Sequence, residues 1–291
     1  MVALLIAAAA IAECSIEQVA GAPGENFVMF HGISPNGRTL AVGWDRGSPP
    51  VVEHGAYLID LLTGKHTDLP HLNNAPSFSP DGRSLVSANY PGEPALKTEI
   101  VELDRRTGKS QTYASSPATE WLASYSPDGK WILFNSMRSG TSDMYRVRRS
   151  DGRIEQLTSD ARYEAHGQFI DNGRRLIFHR QTEGDNYDIV IRDIATGREQ
   201  LVGATPAEEG YPALSPDGRW IAFSAVPKAG SQPNLYLMRR DGSVRRRLTD
   251  GVAKDAYAAW APDGRTLYFV RFDPGGSKIY RMGVRNGDCR R

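Results

Sequence analysis

The chain has 291 residues, 40% of them hydrophobic, and its 35 lysines and arginines balance 34 aspartates and glutamates to a net charge of +1. This balance gives no electrostatic basis for binding nucleic acid or an anionic membrane surface. The 29 glycines and 18 prolines are typical of a turn-rich all-β protein, and no segment is apolar for long enough to cross a membrane as a helix.

An apolar, alanine-rich run opens the chain at residues 2–11 and ends in an Ala-Ile-Ala sequence. This small-x-small pattern fits cleavage by signal peptidase before Glu13. We therefore expect residues 1–12 to be a signal-peptide-like leader, and residues 13–291 to form one domain in the periplasm or outside the cell. Lipid anchoring at Cys14 is a minor alternative, because Glu13 stands where a lipobox has a small residue.

A Ser-Pro-Asp-Gly type turn, usually followed by a basic residue, recurs along the chain at almost constant spacing. Its glycines, which are 44 to 47 residues apart, are Gly37, Gly82, Gly129, Gly173, Gly218 and Gly264. A second turn series has the same period, with Gly64, Gly108, Gly152, Gly197, Gly242 and Gly287. A period of this size indicates a repeat architecture.

Each repeat contains four predicted strands. In the third repeat they are residues 121–125, 131–134, 144–148 and 154–157, where aromatic and β-branched residues form compact runs or alternate with polar ones. Proline and glycine at the second and fourth turn positions favour a type I hairpin turn. Six such repeats predict an all-β fold, a six-bladed β-propeller of four-stranded antiparallel blades. A β-sandwich is the alternative, but it gives no reason for a six-fold repeat.

The last repeat lacks a fourth strand, because too few residues follow Gly287. Residues 15–20 resemble the fourth strand of the third repeat, residues 153–158, and therefore predict that the N-terminal strand completes the last blade and closes the ring. The same alignment places Cys14 and Cys289 at one blade turn. We expect a Cys14–Cys289 disulfide in an oxidising compartment, and the alternative is two unpaired thiols.

The repeats resemble a known family. The succession of Ser-Pro-Asp-Gly-Arg/Lys, an Ile-x-Phe strand and Ile/Leu-Tyr is similar to the PD40, or TolB-like, repeat of WD40-like propellers, and residues 134–145 are especially similar. The resemblance covers about residues 26–288 and implies a six-bladed propeller. It implies a function less specifically, because TolB-like propellers occur in periplasmic protein-binding components, in serine peptidases, and in some lyases and sugar-processing enzymes.

The sequence departs from two branches of this family. TolB itself carries an α/β domain before its propeller, whereas only the short leader precedes the first blade here, so the resemblance does not carry over binding of the Tol–Pal partners. The propeller-bearing peptidases append an α/β-hydrolase domain, and this chain has no Gly-x-Ser-x-Gly nucleophile elbow.

The two turn series join strands at the same end of each blade, so they should form one uniform surface of the disc, the turn face. The opposite surface, the variable face, should carry the connections that differ between repeats. These are residues 44–55, 89–97, 138–143, 180–187, 226–234 and 272–277. Because binding residues concentrate on variable loops held by a rigid scaffold, we expect the functional surface on the variable face and at the mouth of the central channel.

One repeat position is mostly acidic at the start of the innermost strand. Nine residues before each first-turn glycine stand Val28, Asn73, Glu120, Glu164, Glu209 and Asp255. Two residues further on stand Phe30, Ala75, Leu122, His166, Tyr211 and Tyr257. This pattern predicts a partly acidic ring above a layer of aromatic side chains, which would bind Ca²⁺, another cation or a basic peptide segment. The alternative is structural, with the carboxylates bonded to backbone groups or paired with arginines.

The histidines show no tight metal-ligand spacing, although a propeller could bring His31 and His166 together across its channel. The channel-mouth candidates are His31, Asn73, Glu120, Glu164, His166, Glu209, Tyr211, Asp255 and Tyr257. No catalytic residue or metal ligand is assigned, and Ca²⁺ in the channel is the one candidate cofactor. The sequence thus favours an exported, monomeric TolB-like propeller that binds a protein or peptide. The alternative is a channel-site enzyme, a lyase or hydrolase acting on a carbohydrate-like ligand.

Overall fold

The structure, a computed structural model, describes residues 15–21, 26–48, 51–90, 98–182, 186–203, 205–227, 230–285 and 288–289. Its strands form six antiparallel sheets, five with four strands and the last with five. This confirms the predicted all-β, six-bladed propeller. None of the helices in the described part of the chain combines the length and the apolar character that crossing a membrane requires.

The strands are numbered along the chain, and β1 (Ile16–Ala20) belongs to the last blade. Blade I contains β2 (Phe27–Ile33), β3 (Thr39–Ser48), β4 (Val51–Asp60) and β5 (His66–Asp68). Blade II contains β6 (Ser77–Phe78), β7 (Ser84–Asn89), β8 (Glu99–Asp104) and β9 (Ser110–Ser115). Blade III contains β10 (Glu120–Tyr125), β11 (Trp131–Ser136), β12 (Asp143–Arg148) and β13 (Ile154–Gln156).

Blade IV contains β14 (Glu164–Ile170), β15 (Arg175–Gln181), β16 (Tyr187–Asp193) and β17 (Glu199–Val202). Blade V contains β18 (Glu208–Leu214), β19 (Trp220–Val226), β20 (Asn234–Arg239) and β21 (Arg246–Arg247). Blade VI contains β22 (Lys254–Trp260), β23 (Thr266–Asp273) and β24 (Gly276–Arg285), with β1 and the short β25 (Asp288–Cys289) both paired to β24. Within each blade the first strand is the innermost, and the order follows the chain except where β1 closes the ring.

The N-terminal strand completes blade VI, as the sequence predicts. In the antiparallel register Ile16 lies opposite Met282, and Gln18 lies opposite Tyr280. This pairing covers the outer edge of β24, which would otherwise present unpaired backbone groups. Cys14 lies outside the described residues, so the Cys14–Cys289 disulfide stays a prediction.

In blades I, II, III and V the Ser-Pro-Asp-Gly type turns are held by the same small set of hydrogen bonds. In blade II the Gly82 N–H donates to the Ser79 carbonyl oxygen at 2.8 Å, and the Ser79 hydroxyl donates to the Asp81 carboxylate at 2.7 Å. The same hydroxyl accepts from the Ser84 N–H at 2.9 Å. Gly82 has a φ of +70°, a conformation that favours glycine.

Neighbouring turns also pack on one another around the turn face. A Cβ placed on Gly82 would lie 3.6 Å from Cδ of Pro35 in the preceding blade, and one on Gly37 would lie 3.8 Å from Cδ of Pro262, across the seam. The blade IV turn has no proline, and there the Arg240 guanidinium of blade V donates two hydrogen bonds to the Asp171 carboxylate, at 2.7 and 2.5 Å. The ion pair between Arg240 and Asp171 thus links blades IV and V where the proline contact is missing.

The hydrophobic core lies between blades rather than within them. Buried apolar residues form six clusters, and each cluster draws its members from two neighbouring blades. Phe134, Phe178, Phe223 and Phe269 occupy equivalent places in the second strands and are fully buried. The seam cluster between blades VI and I includes Ala20 of β1, which is 6% exposed.

The structure predicts that Ala20→Asp lowers the free energy of unfolding by about 3 kcal/mol or more, because it buries an unpaired charge between blades VI and I. Gln18→Asp places the same side chain on the exposed side of the same strand and should cost less than about 1 kcal/mol. Urea unfolding followed by circular dichroism measures both. An equal decrease in the free energy of unfolding for the two variants would show that β1 is not packed between blades VI and I.

Candidate functional site at the channel mouth

The predicted acidic residues are buried rather than open to the channel. The side chains of Glu120, Glu164, Glu209 and Asp255 have no exposed surface. Each is paired with an arginine of its own blade, and the partners are Arg138, Arg180, Arg245 and Arg271. Of the two interpretations of the sequence, the structural pairing with arginine is therefore the arrangement that the structure contains.

The pair in blade VI shows the geometry most fully. Arg271 Nε donates to Asp255 Oδ1 at 2.7 Å and Nη2 donates to Oδ2 at 2.9 Å, a bidentate contact. The guanidinium lies 5.8 Å from the ring centre of Phe269 and 5.2 Å from that of Tyr280. The other three arginines also lie over the buried phenylalanine of their blade. Carboxylate, arginine and phenylalanine thus form one repeated unit in blades III to VI.

Burial raises the pKa of Glu120, Glu164 and Glu209, and the neighbouring arginines partly offset this effect. In each of these three carboxylates Oε2 is buried and has no hydrogen-bond partner among the described residues. The carboxylates therefore depend on arginine to remain in the interior.

We expect Arg271→Met to lower the free energy of unfolding by about 3 kcal/mol or more, because it leaves the Asp255 carboxylate buried and unpaired. The matched control is Arg83→Met, because Arg83 lies 3.8 Å from Asp81 and both side chains are exposed. This control should cost less than about 1 kcal/mol. Adding Asp255→Leu to Arg271→Met should recover part of the loss. Equal losses in the two single variants, measured by urea unfolding, would contradict the proposed role.

The innermost strands carry a bulge just after the acidic position. Their register shifts beside Leu122, His166, Tyr211 and Tyr257. These four residues have φ values of 60°, 56°, 56° and 57°, which side chains with a Cβ rarely adopt. Strained residues of this kind tend to gather at functional sites. Here they gather at one level of the channel, where the rings of His166, Tyr211 and Tyr257 contact one another.

These strained residues and His31 separate the channel into two parts. On the turn side a cavity of about 80 Å³ continues along residues such as Ser124, Gln168 and Pro212. On the variable side two cavities adjoin the same layer. One has a volume of about 290 Å³ and lies toward blades I to III, with Trp44, Tyr90 and Trp121 in its lining. The other has a volume of about 260 Å³ and lies toward blades IV to VI.

The remaining candidates are distributed unevenly over this arrangement. His31 and His166 both line the channel, as the propeller prediction allowed, and Tyr211 and Tyr257 line it with them. Asn73 instead binds the backbone of Tyr90. Its Nδ2 donates to the Tyr90 carbonyl oxygen at 2.8 Å, and its Oδ1 accepts from the Tyr90 N–H at 2.8 Å.

Sequence reasoning missed several lining residues. His179 is the most important, and it lies on β15 opposite Ala165. Asn135, His179 and Ser224 occupy equivalent places in their second strands, so a comparison of that repeat position could have found it. Trp44 and Tyr187 belong to the predicted variable connections 44–55 and 180–187, whereas Tyr163 and Trp121 carry no signal shared between blades.

At neutral pH the channel histidines His31, His166 and His179 are uncharged, because the pKa of each is lowered. His179 is 4% exposed, its Nδ1 accepts the Tyr211 N–H at 3.1 Å, and burial lowers its pKa to about 3. Burial also lowers the pKa of His31 to about 4. The pKa of His166 lies well below its usual value, first through burial and then through the charges of His179 and His31.

A lowered histidine pKa contributes stability above the unfolded-state value of 6.5, and this contribution is lost as the pH falls toward the folded-state value of about 3. His179→Asn keeps a hydrogen-bond acceptor near the Tyr211 N–H and does not titrate. We therefore expect the unfolding free energy of the variant to fall less steeply between pH 6 and pH 4 (about 1.4 kcal/mol per pH unit for one histidine). Urea unfolding at several pH values measures the two slopes. Identical slopes would show that His179 does not titrate in this window.

In the described part of the chain, no group of three or more His, Cys, Asp or Glu side chains is arranged to hold a metal ion. Ca²⁺ in the channel stays a prediction.

With this geometry in place, the chain can be compared with known proteins. The TolB beta propeller domain family, PD40, matches residues 17–224 and 183–291. The chain belongs to this family. Among the curated relatives of this chain, an uncharacterized protein of Agrobacterium fabrum is 32% identical over 205 residues, which are 70% of this chain and 67% of the relative.

A second relative of this TolB-like chain is named as a TolB homolog of Chlorobium luteolum. It is 28% identical over 219 residues, which are 72% of this chain but only 44% of the relative. The crystal structure of TolB from Acinetobacter baumannii superposes with a TM-score of 0.67 at 28% identity, over 81% of this chain and 57% of that protein. The chain thus spans less than two thirds of these two proteins, and the resemblance concerns their propellers.

Proposed function

We propose that this TolB-like propeller is an exported protein- or peptide-binding module, and that its partner docks on the variable face at the channel mouth. The observation that carries the proposal is the divided channel. The layer around His166 and Tyr257 separates a small turn-side cavity from two larger cavities on the variable side, which share Tyr163, His166 and Tyr257 in their linings. A protruding segment of a partner would find a cleft there rather than a through-channel.

The side chains of the blade I to III cavity suit a protein partner. Trp44 and Trp121 are half-buried, and Tyr90 stacks on His54 with ring centres 4.6 Å apart. Half-buried aromatic side chains in a concave surface are typical anchors of protein interfaces. The turn face, in contrast, uses its repeated turns to hold neighbouring blades together. This difference favours the variable face as the docking surface.

Membership of the TolB propeller family supports a binding role, and the leader-like sequence supports export. Residues 1–14 lie outside the described part of the chain, so localisation in the periplasm rests on the sequence pattern and on the family resemblance.

A channel-site enzyme is the second candidate. It is favoured by the convergence of His31, His166, Tyr211 and Tyr257 on one small volume, since imidazole and phenol groups can act as acids or bases. The buried carboxylates are less suited to such a role, because arginines hold them away from the channel.

A photo-crosslinking experiment tests the binding proposal. A benzophenone amino acid replaces either Trp121, on the variable side, or Trp131, which lies beside Gly129 and Lys130 on the turn side. Both tryptophans are half-buried, so they form a matched pair. We expect irradiation of the periplasm to give a discrete crosslinked protein from position 121 and none from position 131.

The Trp121→Ala protein should compete poorly against that crosslink, whereas Trp131→Ala should compete as well as the unmodified protein. Equal crosslinking from the two positions, or none from position 121, would contradict docking on the variable face.

A further inference from the structure

The cavity toward blades IV to VI has an unusual lining. Its walls contain four tyrosines and two histidines, here called the tyrosine cage: Tyr163, His166, His179, Tyr187, Tyr211 and Tyr257. Several rings stand nearly perpendicular to one another. Tyr163 and Tyr187 make an angle of 85° at 6.2 Å, and His179 and Tyr211 make an angle of 84° at 5.2 Å. Walls in several orientations suit a compact, rounded group better than a flat ring.

The tyrosine cage contains π systems without a fixed positive charge in its interior. Its imidazoles are neutral, and the hydroxyls of Tyr163, Tyr211 and Tyr257 stay protonated because burial raises their pKa. Glu208 lines the opening, and its negative charge contributes to the raised pKa of Tyr211. The interior is therefore electrostatically favourable for a cation.

Two further polar side chains in the lining, Lys254 and Ser224, bear on which other groups a bound cation can have. Lys254 is exposed at the opening and its Nζ lies 4.8 Å from the ring centre of Phe272, to one side of the cage. Ser224 also lines the cavity, is 3% exposed, and its hydroxyl has no hydrogen-bond partner among the described residues. A buried hydroxyl without a partner is costly unless a ligand or water satisfies it. The opening can thus pair an anionic group with Lys254 while the interior holds a cation.

We propose that the tyrosine cage binds an organic ammonium group, held by cation–π contacts with the tyrosine faces and by the charge of Glu208. Lys254 then favours ammonium compounds that also carry a carboxylate. Such a group has two sources, a free small zwitterion or a lysine side chain of a docked protein. The assignment does not require the protein-binding function, since Trp121 is not part of the cage, although the blade I to III cavity shares Tyr163, His166 and Tyr257 with it.

Isothermal titration calorimetry with choline chloride tests the cage, and 3,3-dimethylbutan-1-ol serves as the neutral molecule of the same shape. We expect saturable choline binding that is at least about tenfold tighter than binding of the alcohol, because only choline carries the charge. Tyr187→Leu should weaken choline about fivefold or more, whereas Tyr187→Phe should retain binding because it keeps the ring. Tyr113→Leu, in the turn-side cleft, is the control and should bind choline normally.

Two more probes distinguish the sources of the ammonium group. Glycine betaine should bind more tightly than choline, and Lys254→Gln should remove that advantage without weakening choline. Binding of Nα-acetyl-lysine methylamide as tight as that of betaine assigns the cage to a partner's lysine, and a preference for betaine assigns it to a free zwitterion. The proposal is overturned if choline does not bind, if choline and the alcohol bind alike, or if Tyr187→Leu, with an unchanged melting temperature, binds choline normally.

Discussion

The buried pair of a carboxylate and an arginine is the interaction on which the channel of this propeller depends. It anchors the first residues of the innermost strand in blades III to VI, where the guanidinium also covers a buried phenylalanine. Two residues later, the same four strands carry the residues with positive φ. Blades I and II have Val28 and Asn73 at the acidic position, and their innermost strands contain no such residue. The carboxylate–arginine pair at the start of a strand and the residue with positive φ two positions later therefore occur in the same blades.

This difference between the blades makes the channel lining asymmetric although the fold is regular. The four blades with anchored strands include the three that place His166, Tyr211 and Tyr257 in the channel, where the three rings contact one another. Blades I and II, together with Trp121 of blade III, leave a second cavity that Trp44 and Tyr90 also line, and the Asn73 side chain hydrogen-bonds to the backbone of Tyr90 there. Because this layer of rings is buried, the pKa values of its histidines are lowered and the imidazoles are neutral, so the neutral aromatic walls follow from the packing of the layer. Two chemically different cavities thus arise on one face of a repeated scaffold.

The repeat spacing was sufficient to predict the blades, because each tight turn carries its own hydrogen-bond pattern. The closure by residues 16–20 was predictable too, since that strand resembles the fourth strand of blade III. The partners of the carboxylates were not predictable. Arg180 and Arg271 come from second strands, whereas Arg245 comes from the turn after β20, so no common spacing connects acid and base. His179 was missed because its neighbour, the Tyr211 N–H, belongs to the next blade.

By itself the sequence determined everything that local geometry controls: the number of blades, the strand that closes the ring, the uniform turn face and the position along each innermost strand where acidic residues occur. The tertiary structure alone decided which way those acidic side chains point and which cations they meet. It also decided that side chains from blades IV, V and VI form the tyrosine cage. The physical reason is that turns and most strand pairs form between residues close in the chain, and the distant pair, β1 with β24, was recognisable because β1 resembles the fourth strand of blade III. Burial, ion pairing and cavity walls depend instead on contacts between blades, which the period of the repeat does not encode.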